Sequence, residues 1–285
     1  MQTNTAPSRL PSSTRAALAL IKSNVTGFDR ITVWIDHPAP DVPLRRIARY
    51  CNGKPVIDGG KSLARHPMWQ TRIELFQPAP AAFGILRQAL GGIASKVTYA
   101  EVAIDWITRD GDDAVALQCY LLRHLHIAHL RHPVSFHAGT AYYSPRSSDQ
   151  AERHHRNVAL YADRPSKLWP AATTCPPCCH LEYRFSGTDA CRAVGLNTVS
   201  DCAAFDHPRF WSRSLTLFDF RKTDIGRIVA PDPDVSGSML RRHADAFLEQ
   251  HAYGGDPVLQ NCVVSNREIV RVLQPLDQQH FLANR

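Results

Sequence analysis

The sequence predicts an α+β protein in which a largely antiparallel sheet packs against helices. Three observations lead there. Stretches with apolar residues at every second position alternate with stretches at helical spacing. Several of the strand-like stretches are short and half polar, as in antiparallel sheets covered on one side. Hydrophobic residues make up 44% of the 285 residues, enough to build a buried core and too many for a disordered chain.

The elements follow in order. Residues 1–14 are rich in Ser, Thr and Pro and read as a loose tail; Arg15–Lys22 reads as a short helix. Gly27 then precedes a strand at 31–38, ended by Pro38 and Pro40. Leu44–Tyr50 has helical spacing, Trp69–Phe76 alternates as a strand, and Ala81–Leu90 is a helix stopped by Gly91-Gly92. Lys96–Ile107 is the clearest strand. Val97, Tyr99, Glu101, Ala103 and Asp105 share one face, and an apolar set shares the other. Asp112–Leu130 is a strong amphipathic helix. Strands follow at Val134–Tyr143, Asn157–Ala162 and His180–Ser186, then a helix at Thr188–Val194. A late strand at 214–220 and helices at Met239–Gln250 and Arg267–Leu282 complete the chain. Residues 72–90 and 180–196 both read strand, turn, helix, a loose duplication. The expected organisation is a tail (1–14), an α+β catalytic domain (15–200) and a C-terminal extension (201–285).

The formal charge is +7 and the pI about 9.1. That balance suits a polyanion such as nucleic acid. The eight cysteines lack the compact spacing of a disulfide framework, and no secretory leader or membrane-length apolar run is visible. Free thiols in the cytoplasm are the expectation. No glycine-rich phosphate loop is present, so ATP-driven activity is not expected of this chain. The CPPCC run (175–179) has no second cysteine pair at zinc spacing. His124-Leu125-His126 mimics a His-hydrophobic-His metal motif, which needs a strand to put both rings on one face; on the helical stretch they point about 200° apart, so solvated helix positions are expected instead.

The segment 139–187 concentrates the chemistry. Tyr142 and Tyr143 end one strand; Tyr161 ends the next, before Asp163, Arg164 and Lys167; Glu182 and Arg184 alternate on the third. Arg146, Arg153, His154, His155 and Arg156 stud the connecting loop. Each has a bland reading beside the functional one. Strand tyrosines are usually packing residues, and Glu182 with Arg184 can be an ordinary ion pair.

These motifs resemble rolling-circle replication initiators of small plasmids and filamentous phages. There a strand like "Tyr-x-Gly-x-Arg-x-Ser" leads into "Arg-x-Tyr-Asx-Lys" and then "Arg-x-Glu", preceded by "Arg-x-Asp-x-Ala-x-Asp". Here Tyr143–Ser148, Ala159–Arg164, His180–Arg184 and AEVAIDW (100–106) take those places. The loop glycine is replaced by Ser144-Pro145, the lysine is displaced to Lys167, and Glu101 stands for the first aspartate. The resemblance implies a nicking-joining endonuclease. A tyrosine attacks a phosphodiester and keeps the bond as a phosphotyrosyl ester. Tyr161 is the first candidate, with Tyr143 and Tyr142 behind it. A tyrosine pKa near 10 requires a neighbouring cation to favour the phenolate. The implied cofactor is a divalent metal, Mg²⁺ or Mn²⁺, with Asp105, Glu101 and Glu182 as candidate ligands. Lys167, Arg164 and Arg184 would neutralise phosphate, and Arg146, Arg153 and Arg156 would bind DNA. Implied partners are double-stranded origin DNA with an exposed single strand, a host helicase and polymerase, and a second copy of the chain. The basic residues Arg209, Arg213, Arg221, Lys222, Arg227, Arg241 and Arg242 suit origin reading. The alternatives are a non-catalytic DNA-binding initiator or regulator, and a metal-dependent phosphodiesterase that uses water.

Overall fold

The structure is a computed structural model describing residues 12–38, 41–59, 69–127, 134–144, 156–169, 174–218, 221–230, 234, 236–252 and 263–264. The first half runs α1 (Ser12–Leu18), β1 (Ile21–Ile35), α2 (Leu44–Ala48), β2 (Val56–Gly59), β3 (Thr71–Phe76), α3 (Pro80–Leu90) and β4 (Ser95–Thr108). Next come α4 (Gly111–His124), β5 (Leu125–Ile127), β6 (Val134–His137), β7 (Thr140–Tyr143), β8 (Arg156–Tyr161) and β9 (Cys178–Ser186). The chain continues through α5 (Thr188–Ala193), α6 (Val199–Ala203), α7 (His207–Ser214), β10 (Leu215–Phe218), α8 (Lys222–Val229), α9 (Gly237–Ala252) and β11 (Val263–Val264).

The α+β class holds. Eight antiparallel strands form one sheet in the order β2-β3-β1-β4-β9-β8-β7-β6, and β11-β10-β5 form a second. The centre of the large sheet is a long pair, β1 with β4, flanked by β3 and β9. Helices α3 and α5 follow those flanking strands, so the two strand–turn–helix segments occupy corresponding places on either side of the central pair.

Alternation explains the core. Ala100, Val102, Ile104 and Trp106 of β4 are fully buried in the main cluster, with Leu181 and Phe185 of β9 and Ile31 and Val33 of β1. Helix α4 covers this face through Ala114, Leu117 and Leu121. Asp110 caps it, its side chain accepting from the Asp113 amide at 2.9 Å. Burying a large apolar side chain such as Ile104 or Leu181 stabilises by roughly 1.5–3 kcal/mol, which explains why one apolar face fixes the register.

Several expectations shift. The first strand begins at Ile21, not 31, and Gly27 lies inside it, where β4 supplies a partner through Ala103. Val97 does not share the polar face. One step on β1 (Thr32 to Val33) spans two on β4 (Tyr99 to Val97), so Thr98 is a bulge and Val97 turns into the core. The helix expected to reach 130 ends at His124, because Leu125–Ile127 pairs with β10. The strand expected at 134–143 is a hairpin. Ala138 (φ 44°) and Gly139 (φ 78°) form its two-residue turn, and a Cβ on Gly139 would meet Asp163 at 3.2 Å.

The His124/His126 pair is not solvated. His124 Nδ1 is 2.9 Å from the Phe218 carbonyl oxygen, and His126 Nδ1 is 3.1 Å from Asp245; both rings are buried. The boundary drawn at 200 does not divide two cores. Val199, Cys202, Trp211, Leu215 and Leu217 belong to the main cluster. Thr14 and Ala17 are likewise buried, so α1, which includes the end of the expected tail, packs into the body of the fold. The sheet is also covered on both faces at its centre, since Cys178–Tyr183 are all buried. Arg146, Arg153, His154, His155 and the helix expected at 267–282 lie outside the described residues.

Candidate functional site

The second face of the large sheet carries a row of buried ionisable side chains. Registration places Glu101, Ala103 and Asp105 of β4 beside Arg184, Glu182 and His180 of β9. On β8, Asn157, Ala159 and Tyr161 lie beside the same three β9 residues. Period-two alternation therefore lines up one row of acids, a histidine and a tyrosine.

Asp29 joins this row through a second bulge. One step on β4 (Val102 to Glu101) spans two on β1 (Phe28 to Arg30), leaving Asp29 as the extra residue. Gln77 clamps it. The Gln77 amide donates to the Asp29 carbonyl at 3.0 Å, and Gln77 Nε2 donates to the same carbonyl at 2.9 Å and to the carboxylate. Gln77 holds a left-handed backbone (φ 43°), an unfavourable conformation for a side-chain-bearing residue that this double contact offsets. Lys167 Nζ lies 3.3 Å from Asp29 Oδ2.

Asp29, His180 and Glu182 place one donor atom each within 4.8 Å of one another, all buried. Asp105 stands behind them. It accepts from Ser166 Oγ, lies 3.4 Å from the Leu168 amide and hydrogen-bonds His180 Nδ1. His180 Nε2 lies 3.3 Å from Glu182 Oε2. This is the arrangement in which a carboxylate orients an imidazole whose other nitrogen faces a metal. Two carboxylates and an imidazole fit a divalent cation, and the imidazole favours Mn²⁺ over Mg²⁺. Of the three ligands expected from sequence, Glu182 is in this cluster. Asp105 is turned to His180 and Ser166. Glu101 accepts from the Tyr99 hydroxyl and lies 3.8 Å from Arg184 Nε.

The electrostatics follow from crowding. Burial raises the Asp29 carboxyl, and nearby His180 pulls it back. Burial, with the charges of Glu182 and Asp29, pushes Glu101 up to about 7. Burial would lower the His180 imidazole, but the charge of Asp105 and hydrogen bonds to Asp105 and Glu182 outweigh it and raise it to about 10. Burial would raise Glu182, yet bonds from His180 and the Arg184 charge hold it well below the usual carboxylate range. Arg184 Nε donates to Glu182 at 2.7 Å, so this arginine is committed to the acids rather than presented to solvent.

Tyr161 sits on this cluster. Its ring stacks on His180 with centroids 4.4 Å apart, and Arg164 lies over it at 5.0 Å and Lys167 at 6.0 Å. Its hydroxyl is buried without a hydrogen-bond partner among the described residues. Burial, then the charges of Glu182, Asp29 and Asp105, pushes the phenol far above its usual range. Tyr143 is on the opposite face. It pairs with Val158, and its buried hydroxyl feels Asp245 and Arg241. Tyr142, opposite Ala159, is the one on the cluster's face, with Arg184 5.8 Å from its ring. Arg156, on β8, borders a separate surface cavity with Lys96 and Ser186.

An open cavity of about 420 Å³ gives access to the row and is lined by Asp29, Arg30, Gln77, Glu101, Lys167 and Arg184, among others. The cysteines at 178 and 179 point to opposite faces of β9, so they cannot close on one ion. Sequence reasoning missed Asp29 and gave His180 no role. The His180-x-Glu182-x-Arg184 alternation carries a signal for the histidine; nothing local marks the bulge.

No protein-family model and no curated protein sequence matches this chain. Among the described residues, no helix is long and apolar enough to cross a membrane.

Proposed function

We propose that this protein nicks one strand of DNA through Tyr161 and holds the product as a phosphotyrosyl ester, as a replication initiator would. The observation that carries the reading is the stack of Tyr161 on His180, inside the cluster that can hold a divalent cation. Asp29, His180 and Glu182 would hold the ion; when bound, it supplies positive charge that favours the phenolate and offsets charge developing on the phosphate. Asp105 fixes the His180 tautomer and ring. Arg30 and Lys167, both on its lining, make the open cavity attractive to a phosphodiester despite its acids. Tyr161 Oη forms the new bond to phosphorus, and the bond from phosphorus to one deoxyribose oxygen breaks. The phenol proton passes by way of the carboxylate-rich face to that oxygen, which leaves as a hydroxyl. The ester keeps the energy of the broken bond, so rejoining needs no ATP. Origin DNA would contact the basic C-terminal residues, and helicase and polymerase activities would come from other proteins.

One observation favours a second reading. Tyr161 is only 3% exposed. A water entering the open cavity beside Asp29 would then be the nucleophile, making the protein a metal-dependent phosphodiesterase. The test is incubation with a supercoiled plasmid carrying the cognate origin and Mn²⁺. Nicked DNA bound covalently to wild-type protein, and lost in Tyr161→Phe, is expected. Nicking without an adduct supports water; no nicking overturns both.

A further inference from the structure

We infer that the apolar cavity beside the cluster is a subsite for one unstacked nucleobase of the bound strand; this rests on the DNA-nicking reading and specifies its substrate contact. Strand β3 pairs with β1 only over Arg30–Ile35, so among the described residues Val25–Phe28 have no strand on that side. A cavity of about 370 Å³ opens there, walled by Phe28, Pro78, Phe83, Phe205 and His207. It adjoins the candidate cation site: Gln77 lines both cavities and clamps Asp29, and Leu168 lines this one while its amide approaches Asp105.

Its walls match a base better than an aliphatic ligand. The rings of Phe28, Phe205 and His207 lie 4.7–5.3 Å apart and are tilted or edge-on; Phe28 is buried, whereas Phe205 and His207 are partly exposed. Every base offers a π-face for such stacking. His207 Nδ1 is buried with no partner among the described residues. Burial lowers this imidazole to about 3, so it is neutral and can offer a hydrogen bond to a base edge without introducing charge. A hydrocarbon chain would leave that nitrogen unpaired, which costs about 1–3 kcal/mol. Proteins that bind single strands commonly combine a basic groove with aromatic side chains on which unstacked bases sit.

The test is photocrosslinking without divalent cation, so that binding is read apart from cleavage. The probe is single-stranded DNA of otherwise random sequence with one 5-iodouracil. Adducts mapped by mass spectrometry are expected on Phe205 or His207. Phe205→Ala should lower their yield about tenfold, the worth of one base–aromatic stack, and Phe205→Tyr should restore it. Should Phe205→Ala fail to fold, the wild-type map and Phe205→Tyr still decide. No adducts, or adducts only outside the cavity, overturn the inference. Cavity adducts on a protein that does not nick would sustain the subsite and sink the Tyr161 chemistry. Nicking without cavity adducts would do the reverse.

Discussion

The two faces of the large sheet differ in what their side chains accomplish. On the helix-covered face, Ala100, Val102, Ile104, Trp106, Leu181 and Phe185 are buried and apolar, and they hold the fold together. On the other, Glu101, Asp105, His180, Glu182 and Tyr161 are buried too, but ionisable or polar. Burying charge is costly unless it is paired. The pairs here satisfy much of that cost, yet Asp29 and Glu101 remain raised and the Tyr161 hydroxyl remains without a partner among the described residues. One face is tuned for stability. The other keeps an electrostatic imbalance that a cation would relieve.

Stability measurements break this comparison most readily. Trp106→Ala on the apolar face should lose about 3–5 kcal/mol in denaturant unfolding. Tyr161→Phe removes only an unpartnered hydroxyl and should change stability by less than about 1 kcal/mol. Equal losses would mean the two faces serve one purpose. Cation binding is the next largest effect. Mn²⁺ affinity, read by electron paramagnetic resonance, should collapse in Glu182→Gln and fall about 10–100-fold in Asp105→Asn, which only orients His180. An unchanged affinity in Glu182→Gln would remove the candidate site.

The pH dependence sharpens the picture further. His180 is raised to about 10, so at neutral pH a cation must displace its proton. Affinity should climb about tenfold per pH unit between 7 and 9, with about one proton released in calorimetry across buffers. Without cation, the stabilisation from charged His180 is full below its ordinary pKa of 6.5 and is lost as pH rises through 10. Glu101 acts in the same direction at lower pH. Its pKa is raised to about 7, so its contribution is full below 4.5 and lost as pH rises through 7. The smallest effect is therefore in Glu101→Gln, whose thermal midpoint should fall less between pH 5 and 8 than that of the wild type.

Much of the polar face was legible because alternation is local. Glu101 and Asp105, or Glu182 and Arg184, share a face whatever the rest of the chain does. The bulges were not legible. Thr98 and Asp29 are extra residues only relative to a partner strand, and no residue within either strand announces them. Gly27 looked like a break because a lone glycine weakens a strand; pairing with β4 carries the strand through it. The choice between Tyr142 and Tyr143 depended on registration across the 144–156 connection, which spacing cannot give. His180 was visible but eclipsed by the carboxylates around it. The 201–285 segment looked separable because it is basic and follows a complete strand–helix unit, yet Trp211 anchors it in the common core.

The most direct measurement is the identity of the residue that carries DNA. Protein incubated with origin DNA and Mn²⁺, digested with protease and nuclease, should yield one peptide bearing a nucleotide on Tyr161 by mass spectrometry. The same nucleotide on Tyr142, or nicked DNA with every tyrosine unmodified, would contradict the assignment.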